Sequence, residues 1–251
     1  MRKIWIFMLV LLAVAPCVKA EDIVITDNGK GTAQYDVILV QNPTIAIDGT
    51  PDEEIWAAVP ELSGSLNYPW EAVQAPKTVF KAFHDGSTLY FSFVVEDREV
   101  LVEDEWKSDE STVDDEDRVE IFFAGGSVDQ PDDYSLATYY AIEVDAQGRV
   151  HDYSAVYYRH LDSSWNLKDL NTAGIETESG YLVEGSIPLA SLQELQLIRE
   201  DKTMRAGVFR AEFSKAGSEI QMQWISWVDP NTTYPDFHVD SAFGVFRFLG
   251  L

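Results

Sequence analysis

Short runs in which apolar and polar residues alternate recur along most of the chain, and no segment keeps the spacing of an amphipathic helix. In the run "LYFSFVV", Leu89, Phe91, Phe93 and Val95 fall on one face, as in a strand with one buried side. Turn residues such as "HDGS" separate these runs. The pattern predicts an all-β fold of about eight to eleven strands, arranged as a two-sheet antiparallel β-sandwich of jelly-roll type. The segment "LASLQEL" predicts one short helix.

The first twenty residues have the organisation of an export signal. Arg2 and Lys3 precede the apolar run "IWIFMLVLLAVA", and "VKA" before Glu21 has the small-residue spacing of a peptidase site. We therefore predict a signal peptide over residues 1–20 and an exported protein, periplasmic or extracellular after cleavage near Ala20. Pro16 before Cys17 is a poor fit to a lipoprotein signal, and Cys17 is the only cysteine, so we expect a fold without disulfides.

The remaining chain shows no repeat and no low-complexity linker. We predict a leader or edge strand over residues 21–42 and a single β-sandwich domain over residues 43–251. No second stretch is apolar enough to predict a membrane span.

The charge is strongly negative, because 43 Asp and Glu residues oppose 18 Lys and Arg residues to give a net charge of −25. Nucleic acid or an anionic surface would be repelled by such a protein. A neutral saccharide would not be repelled, and calcium would be attracted.

Five motifs occur in an order that points to one family. They are "PTIAIDGTPDEEIWAAV" at 43–59, "HDGSTLYFSFVVED", "DEDRVEIFF", "GYLVEGSIPLASL", and "ISWVDP" with "FGVFRF". Together they resemble the family 9 carbohydrate-binding modules and related sugar-binding sandwich domains. The resemblance implies a non-catalytic domain that binds a neutral oligosaccharide or polysaccharide, in the context of xylan or glucan breakdown. Trp56 in the first motif is expected to bury its ring against the sheet edge.

Glu120 is the leading candidate for a sugar contact. In "RVEIFF" the period of two places Val119, Ile121 and Phe123 inward, and Glu120 with Phe122 on the opposite face. The resemblance assigns a sugar-binding glutamate to this strand, and a carboxylate accepts hydrogen bonds from neighbouring sugar hydroxyls. The competing interpretation is an outward, solvated side chain.

The family resemblance also implies two stacking tryptophans, since aromatic faces pack on the C–H faces of a pyranose. Ungapped alignment places Asp114 at the first tryptophan position, and the nearest tryptophan is Trp106. At the second position we expect Tyr234 or Phe237, with Asn231 or Thr232 near the polar contact in the same loop, Asn231 being the residue we predict to bind. The family's arginine in the next strand has no counterpart in "TYYAIEV".

Further tryptophans lie outside that scheme. Trp165, in the polar loop "SSWNL", is a candidate for stacking on a sugar chain, with core packing as the alternative. Trp224 and Trp227 lie three residues apart in a strand run, so they are expected to point to opposite faces, one of them into the core.

The acidic run before Glu120 offers oxygen ligands for a metal ion. Asp115 and Asp117 are the candidate ligands of a structural calcium, which the resemblance also implies, although the run lacks the spacing of a calcium-binding loop. The alternative is a solvated loop.

The sequence also bears on two other classes of function, an enzyme and a haem protein. We predict no enzyme activity, because the chain lacks room for a separate catalytic barrel, and no nucleophilic triad or phosphate loop is recognisable. The alternative function is a haem b-binding sandwich of an exported electron-transfer system. Its candidate axial ligands are His84, His151, His160, His238, Met204 and Met222.

Overall fold

The computed structural model begins to describe the chain at Ala33. The predicted signal peptide, residues 1–20, and the first part of the predicted leader, residues 21–32, lie outside the described residues. The described residues are 33–62, 66–125, 138–156 and 158–251.

The described residues form thirteen strands and one short helix, α1 (Leu189–Glu194), which confirms the prediction of an all-β fold with one helix. The strands are β1 (Gln34–Leu39), β2 (Glu61–Leu62), β3 (Thr78–His84), β4 (Thr88–Glu96), β5 (Arg118–Ala124), β6 (Thr138–Asp145), β7 (Val150–Val156), β8 (His160–Asp162), β9 (Asn171–Thr177), β10 (Gly180–Pro188), β11 (Thr203–Ala216), β12 (Glu219–Ser226) and β13 (Gly244–Phe248). In this part of the chain no helix is both long and apolar enough to cross a membrane.

The strands form two sheets joined through β1. The first sheet has the order β8-β7-β6-β5-β11-β13-β1, and the second has the order β1-β3-β4-β10-β9. Strand β12 pairs with β11, and β2 pairs with β3. Residues Gln34 to Val37 of β1 pair with β13, while Ile38 and Leu39 pair with β3, so β1 passes from one sheet to the other.

Both pairings of β1 are parallel, so the sheets are mixed rather than purely antiparallel as predicted. Parallel strands cannot be joined by a tight turn, and β1 is joined to neither neighbour by one. Asp36 of β1 also binds Arg247 of β13 through two hydrogen bonds of 2.6 and 2.7 Å. Strand β1 falls in the range 21–42 that is predicted as a leader or edge strand, and it lies inside the sheet, between β13 and β3.

The main core lies between the two sheets. Tyr35 on β1 contacts Phe80 of the second sheet and Phe246 of the first, with ring centroids 5.4 and 5.5 Å apart. Val119 and Ile121 point into this core, as the alternation in β5 predicted. Burial of such apolar side chains is the main force that holds the sheets face to face.

A second apolar cluster covers the outer face of the first sheet. Phe122 and Tyr139 contribute to it from β5 and β6, and the segment 229–243 folds over them. In that segment Phe237 stacks on Phe209 of β11 at 4.2 Å. The segment therefore stands above the first sheet and forms one wall of a cavity there.

The tryptophans predicted to pack do so. Trp56 is buried against Phe83 on the outer face of the second sheet, with an edge-on contact at 5.1 Å. Trp227 lies in the core between the sheets, whereas Trp224 packs against the outer-face cluster. The prediction that Trp224 and Trp227 point to opposite faces is confirmed.

Candidate functional site

A cavity of about 280 Å³ opens on the outer face of the first sheet. Its floor is formed by β5, β6 and β7, and its walls by β12, the 229–243 segment and residues near β8. The floor residues are Arg118, Glu120, Glu143, His151 and Tyr153, and the wall residues include Asp114, Arg159, Leu161, Trp224 and Pro235 to His238.

Strand register brings the floor residues together. Glu120 on β5 lies opposite Glu143 on β6, which in turn lies opposite His151 on β7. Side chains at opposite positions of adjacent strands lie about 5 Å apart at Cβ and point to the same face. The three residues therefore form one row across the sheet, and Arg118 stands on the same face two residues before Glu120.

Arg118 is the central charge of this row. Its Nε lies 3.0 Å from Glu120 Oε1 and 2.5 Å from Glu143 Oε2. Its Nη1 donates to the main-chain oxygens of Val113 and Asp114 at 3.3 and 3.0 Å. The two carboxylate oxygens that face this nitrogen are buried, so Glu120 and Glu143 share one guanidinium out of contact with solvent.

The protonation of Glu120 follows from its surroundings. Burial and the nearby charge of Glu143 raise the pKa of Glu120 to about 8, although Arg118 opposes the shift. The charges of Glu143 and Glu120 raise the pKa of Arg118 despite its burial. At neutral pH Glu120 can therefore donate a hydrogen bond as well as accept one, which suits a hydroxyl-bearing ligand.

An aromatic side chain stands beside these polar groups. Trp224 lines the cavity and is partly exposed, with the Arg118 guanidinium 5.7 Å from its ring centroid and Phe237 at 5.8 Å in edge contact. Tyr153 on the floor donates a 2.8 Å hydrogen bond to Glu143 Oε1. The cavity thus combines an apolar ring with a pair of acids.

Of the predicted sugar contacts, Glu120 lines this cavity, and so does Phe237, the alternative to Tyr234 at the second aromatic position. Phe237 is buried and stacked on Phe209. Glu120 points to the predicted face, but it is 1% exposed rather than solvated, because Arg118 and the cavity walls enclose it. Tyr234 is 78% exposed and lies beside the lining residue Pro235. Asn231 is exposed in a left-handed turn at φ 53°, where its N–H donates to Asp229.

The two predicted tryptophans lie elsewhere. Trp106 is about half exposed and packs under Arg149 of the β6–β7 turn at 5.4 Å. Trp165 packs on Tyr140 at 4.8 Å and against the core between the sheets, on the opposite face of the first sheet from the cavity. The structure therefore does not bring Trp106, Trp165 and Tyr234 together into one clamp.

The sequence patterns did not place Arg118, Glu143, His151 or Trp224 in a sugar site, and His151 was a candidate only as a haem ligand. Side chains two residues apart on a strand point to the same face, so the sequence could have predicted that Arg118 lies beside Glu120. Glu143 and His151 join the site only through the β5–β6 and β6–β7 registers. Trp224 joins the site through the pairing of β12 with β11. The sequence of a single strand does not reveal which strand it pairs with or in which register.

The two candidate calcium ligands occupy different environments. The Asp115 side chain is 75% exposed and lies 3.7 Å from Lys107 Nζ. Asp117 is fully buried, and its two carboxylate oxygens accept N–H hydrogen bonds from Leu101 and Phe213 at 2.7 and 2.8 Å. They do not form one site.

Asp117 instead belongs to a buried group with Asp97 and Glu212. The Arg210 guanidinium already contacts Glu212 and lies 2.9 Å from Asp97 Oδ2. Calcium takes about six to eight oxygen ligands. Because these oxygens already bind a guanidinium and two backbone N–H groups, the residues do not fit a calcium ion.

His151 links two other side chains beside the cavity. Its Nδ1 lies 2.7 Å from Asp114 Oδ1, and its Nε2 lies 3.1 Å from Ser163 Oγ. This is the order of groups in a serine hydrolase triad, which the sequence had not indicated. The two backbone N–H groups that follow Ser163 both donate to Asp162, so they are not free to stabilise an oxyanion. We interpret the contacts as orienting His151 and not as a catalytic site.

The candidate haem ligands do not converge. Both ring nitrogens of His84 are engaged, by the Leu249 carbonyl and the Gly86 N–H. Met204 is buried in the core and Met222 is exposed on β12. His151 and His238 both line the cavity, but both ring nitrogens of His151 are engaged, by Asp114 and Ser163. His160 is exposed on β8. This arrangement does not fit a pair of axial ligands.

A second depression lies at another edge of the sandwich and has a volume of about 890 Å³. Its lining is dominated by acidic residues, and Tyr68 is the only aromatic one. The cavity above Glu120 is therefore the better candidate for an organic ligand with apolar faces.

Comparison with known proteins concerns the family and the fold of the chain. The sequence pattern of the carbohydrate family 9 binding domain-like family matches residues 47–250, and no curated protein matches the chain. A candidate carbohydrate-binding protein from Bacteroides uniformis ATCC 8492 has a similar structure, with a TM-score of 0.63 and 16% identity over 86% of this chain and 98% of that one.

A second solved structure is also similar. It is a family 9 carbohydrate-binding module from Caldicellulosiruptor kristjanssonii in complex with cellotriose, with a TM-score of 0.54 and 18% identity over 87% of this chain and 94% of that one. At these identities both likenesses concern the fold. The family match covers most of the chain and confirms the resemblance found in its motifs: this protein belongs to the carbohydrate family 9 binding domain-like family.

Proposed function

We propose that this protein binds a saccharide without transforming it, and that the cavity above Glu120 is the binding site. The observation that carries the proposal is the row formed by Glu120 and Glu143, which lies in a cavity beside the partly exposed ring of Trp224. Family membership supports the same ligand class.

Each group has a distinct part in this proposal. Glu120 and Glu143 accept hydrogen bonds from sugar hydroxyls, and protonated Glu120 can donate one in return. Trp224 packs on the C–H face of the ring. Tyr153 and Arg118 hold the acids in place through the contacts described above.

The charge of the cavity restricts the class of sugar. Four carboxyl groups line it, from Asp114, Glu143, Asp236 and the protonated Glu120, against the two guanidinium groups of Arg118 and Arg159. An acidic sugar would be repelled, whereas a neutral sugar or one that carries a positive charge would be admitted. Because a structurally similar family 9 module was solved with cellotriose, a neutral β-linked oligosaccharide is the first ligand to test.

The same geometry argues against glycoside hydrolysis. A glycosidase holds its two carboxyl groups roughly 5–9.5 Å apart on either side of the scissile bond. Here Glu120 and Glu143 contact one guanidinium nitrogen from neighbouring strands, so a glycosidic bond has no room between them. We therefore infer a binding role, with xylan or glucan breakdown by separate enzymes as its context.

We further propose that the protein is exported, on the strength of the N-terminal signal sequence. The high negative charge and the lack of cysteine beyond Cys17 suit an exported protein that folds without disulfides. Mass spectrometry of the protein secreted by its native host would test this, and a mature N-terminus at Glu21 is the expected result.

Calorimetric titration with cellotriose and xylotriose tests the binding proposal. We expect Kd values between micromolar and millimolar for at least one of them. Glu120→Gln should weaken binding about tenfold or more, while the exposed Asp115→Asn should leave it unchanged. Equal affinity of Glu120→Gln and wild type would place the site elsewhere, and failure of the folded protein to bind any sugar of a glycan array would overturn the proposal.

A further inference from the structure

The cavity above Glu120 changes in character from its floor to its mouth. The floor residues Glu120, Glu143 and Tyr153 are at most 5% exposed. Leu161 and Pro235 also line the cavity, but Leu161 is 47% exposed and Pro235 is exposed as well. A ligand that fills the cavity therefore meets polar groups at its inner end and apolar side chains where it leaves the protein.

Further exposed apolar side chains stand beside this mouth. Tyr234 directly precedes Pro235, and the half-exposed Tyr158 contacts Asp236 in the cavity wall through its hydroxyl. Met222 is exposed two residues before Trp224 on β12, so the two side chains point to the same face. Single exposed apolar residues are common on soluble proteins, whereas a group of them beside a cavity marks an interaction surface. We call this group the apolar rim: Tyr158, Leu161, Met222, Tyr234 and Pro235.

The polar groups at the mouth bind one another. Asp236 accepts hydrogen bonds from the Tyr158 hydroxyl and, at 2.9 Å, from Arg159 Nη2. It also accepts the backbone N–H of His238 at 2.9 Å, and Arg159 Nε donates to the Tyr158 hydroxyl at 3.2 Å. Because these groups are already engaged, they are poorly placed to bind the hydroxyls of a second sugar ring. An apolar group at the mouth needs no such partners.

From the change between polar floor and apolar rim we infer that the protein binds a glycoside with an apolar aglycone. The sugar occupies the cavity, and an alkyl group attached through the glycosidic oxygen packs on the apolar rim. The inference rests on the proposed saccharide-binding function and specifies the class of ligand. Attachment through the glycosidic oxygen leaves the other hydroxyls of the ring free to bind the floor. Each methylene group buried at the rim favours binding about fourfold, because its burial removes apolar surface from water.

Methyl and hexyl β-D-glucopyranoside, with the matching pair of β-D-xylopyranosides, test the inference. The two members of a pair share the sugar and differ by five methylene groups. By calorimetry we expect the hexyl glycoside of at least one pair to bind about tenfold or more tightly than the methyl glycoside, which requires burial of about two methylene groups. An excess of the methyl glycoside should displace the hexyl glycoside, because the sugar of each occupies the cavity.

A smaller preference in both pairs would overturn the inference and leave saccharide binding intact. A hexyl glycoside that the methyl glycoside does not displace would do the same, because the alkyl group would then bind elsewhere. Absence of binding of all four glycosides and of cellotriose would count against both the inference and the proposed function.

A matched pair of variants separates the rim from general attraction between apolar groups. Leu161→Ser removes an exposed side chain from the rim and should lower the preference for the hexyl glycoside about threefold or more. Ile175, on the edge strand β9 of the second sheet, is 45% exposed, much as Leu161 is on the edge strand β8 of the first. Ile175→Ser should therefore leave the preference unchanged, and equal losses in the two variants would overturn the inference. Circular dichroism must first show that both are folded, and if Leu161→Ser is not, Tyr234→Ser tests the same rim.

Discussion

Glu120 and Glu143 face each other across β5 and β6, and the Nε of Arg118 lies 3.0 Å from one and 2.5 Å from the other. All three side chains are almost fully buried beneath the cavity. Two buried acids on neighbouring strands repel each other, so this face of the sheet depends on one guanidinium. The same arrangement that makes the cavity acidic therefore also makes Arg118 important for stability.

Replacing Arg118 by methionine should destabilise the fold. Removal of one partner from a buried ion pair leaves an uncompensated charge and costs about 3–5 kcal/mol. Protonation of Glu120 offsets part of this cost, so we expect about 2–4 kcal/mol in urea unfolding at pH 7. Lys107→Met, which removes an exposed pair with Asp115, should change stability by less than about 1 kcal/mol. Similar effects of the two substitutions would contradict the role assigned to Arg118.

Stability should fall as the pH rises from about 6.5 to 8.5. Burial raises the pKa of Asp117 and of Glu120 to about 8, and that of Glu212 to about 7. The folded protein therefore retains protons that the unfolded chain releases near its ordinary carboxyl pKa of about 4. For each retained proton, the free energy of unfolding falls by about 1.4 kcal/mol for every unit by which the pH rises. The fall ends when the pH passes the pKa of that group in the folded protein.

Urea midpoints at pH 6.5 and 8.5 measure this dependence, and a fall of at least about 1 kcal/mol is expected. His238 does not affect stability in this pH window, because burial lowers its pKa to about 4. At lower pH the unfolded chain would bind a proton at this histidine that the folded protein does not, so stability would rise with pH there. Glu120→Gln should flatten the dependence and Asp115→Asn should not. A rise in stability over this window would show that the buried acids are ionised in the folded state.

A close approach of two backbone segments yields a third prediction. A Cβ on Gly174 of β9 would lie 2.4 Å from the backbone nitrogen of Gly148, in the β6–β7 turn, and 2.8 Å from the Ala146 oxygen. These are backbone atoms that cannot move aside, so Gly174→Ala should cost about 1–3 kcal/mol or more. Gly125→Ala, where a Cβ meets nothing within 4 Å, is the matched control and should stay near wild type in thermal unfolding. An unchanged melting temperature for Gly174→Ala would mean that the turn can shift.

The sandwich and its core were predictable because they depend on local alternation. Val119 and Ile121 were placed inward and Trp56 was placed against a sheet, as found. The path of β1 was not predictable, since its parallel pairings with β13 and β3 depend on where the chain returns after long connections. The alternation of side chains along β5 correctly predicted the face to which Glu120 points. It did not predict the burial of Glu120, which depends on Arg118 and on the 229–243 segment.

For a related reason, the structure brings only part of the predicted aromatic set to the cavity, namely Phe237. The family's two tryptophan positions point to Trp106 and to Tyr234 or Phe237, whereas Trp165 is a candidate because it stands in a polar loop. The places of these side chains depend on loop paths, and Trp165 turns to the face opposite the cavity. Trp224 reaches the cavity because β12 pairs with β11 and β11 pairs with β5, a register that no single segment reveals.

Trp224→Ala tests which ring contacts the sugar. Trp224 is the partly exposed aromatic side chain that lines the cavity beside Glu120, so its removal deletes the apolar surface on which a pyranose would pack. We expect the Kd for the best-bound trisaccharide to rise about tenfold or more, equivalent to about 1.4 kcal/mol. Trp106→Ala removes a ring of the same kind outside the cavity and should change the Kd less than twofold. Calorimetry on the two variants, after circular dichroism has shown both to be folded, distinguishes the rings. If Trp106→Ala weakens binding and Trp224→Ala does not, the sugar contacts the Arg149 side of the sheet and the cavity above Glu120 is not the site.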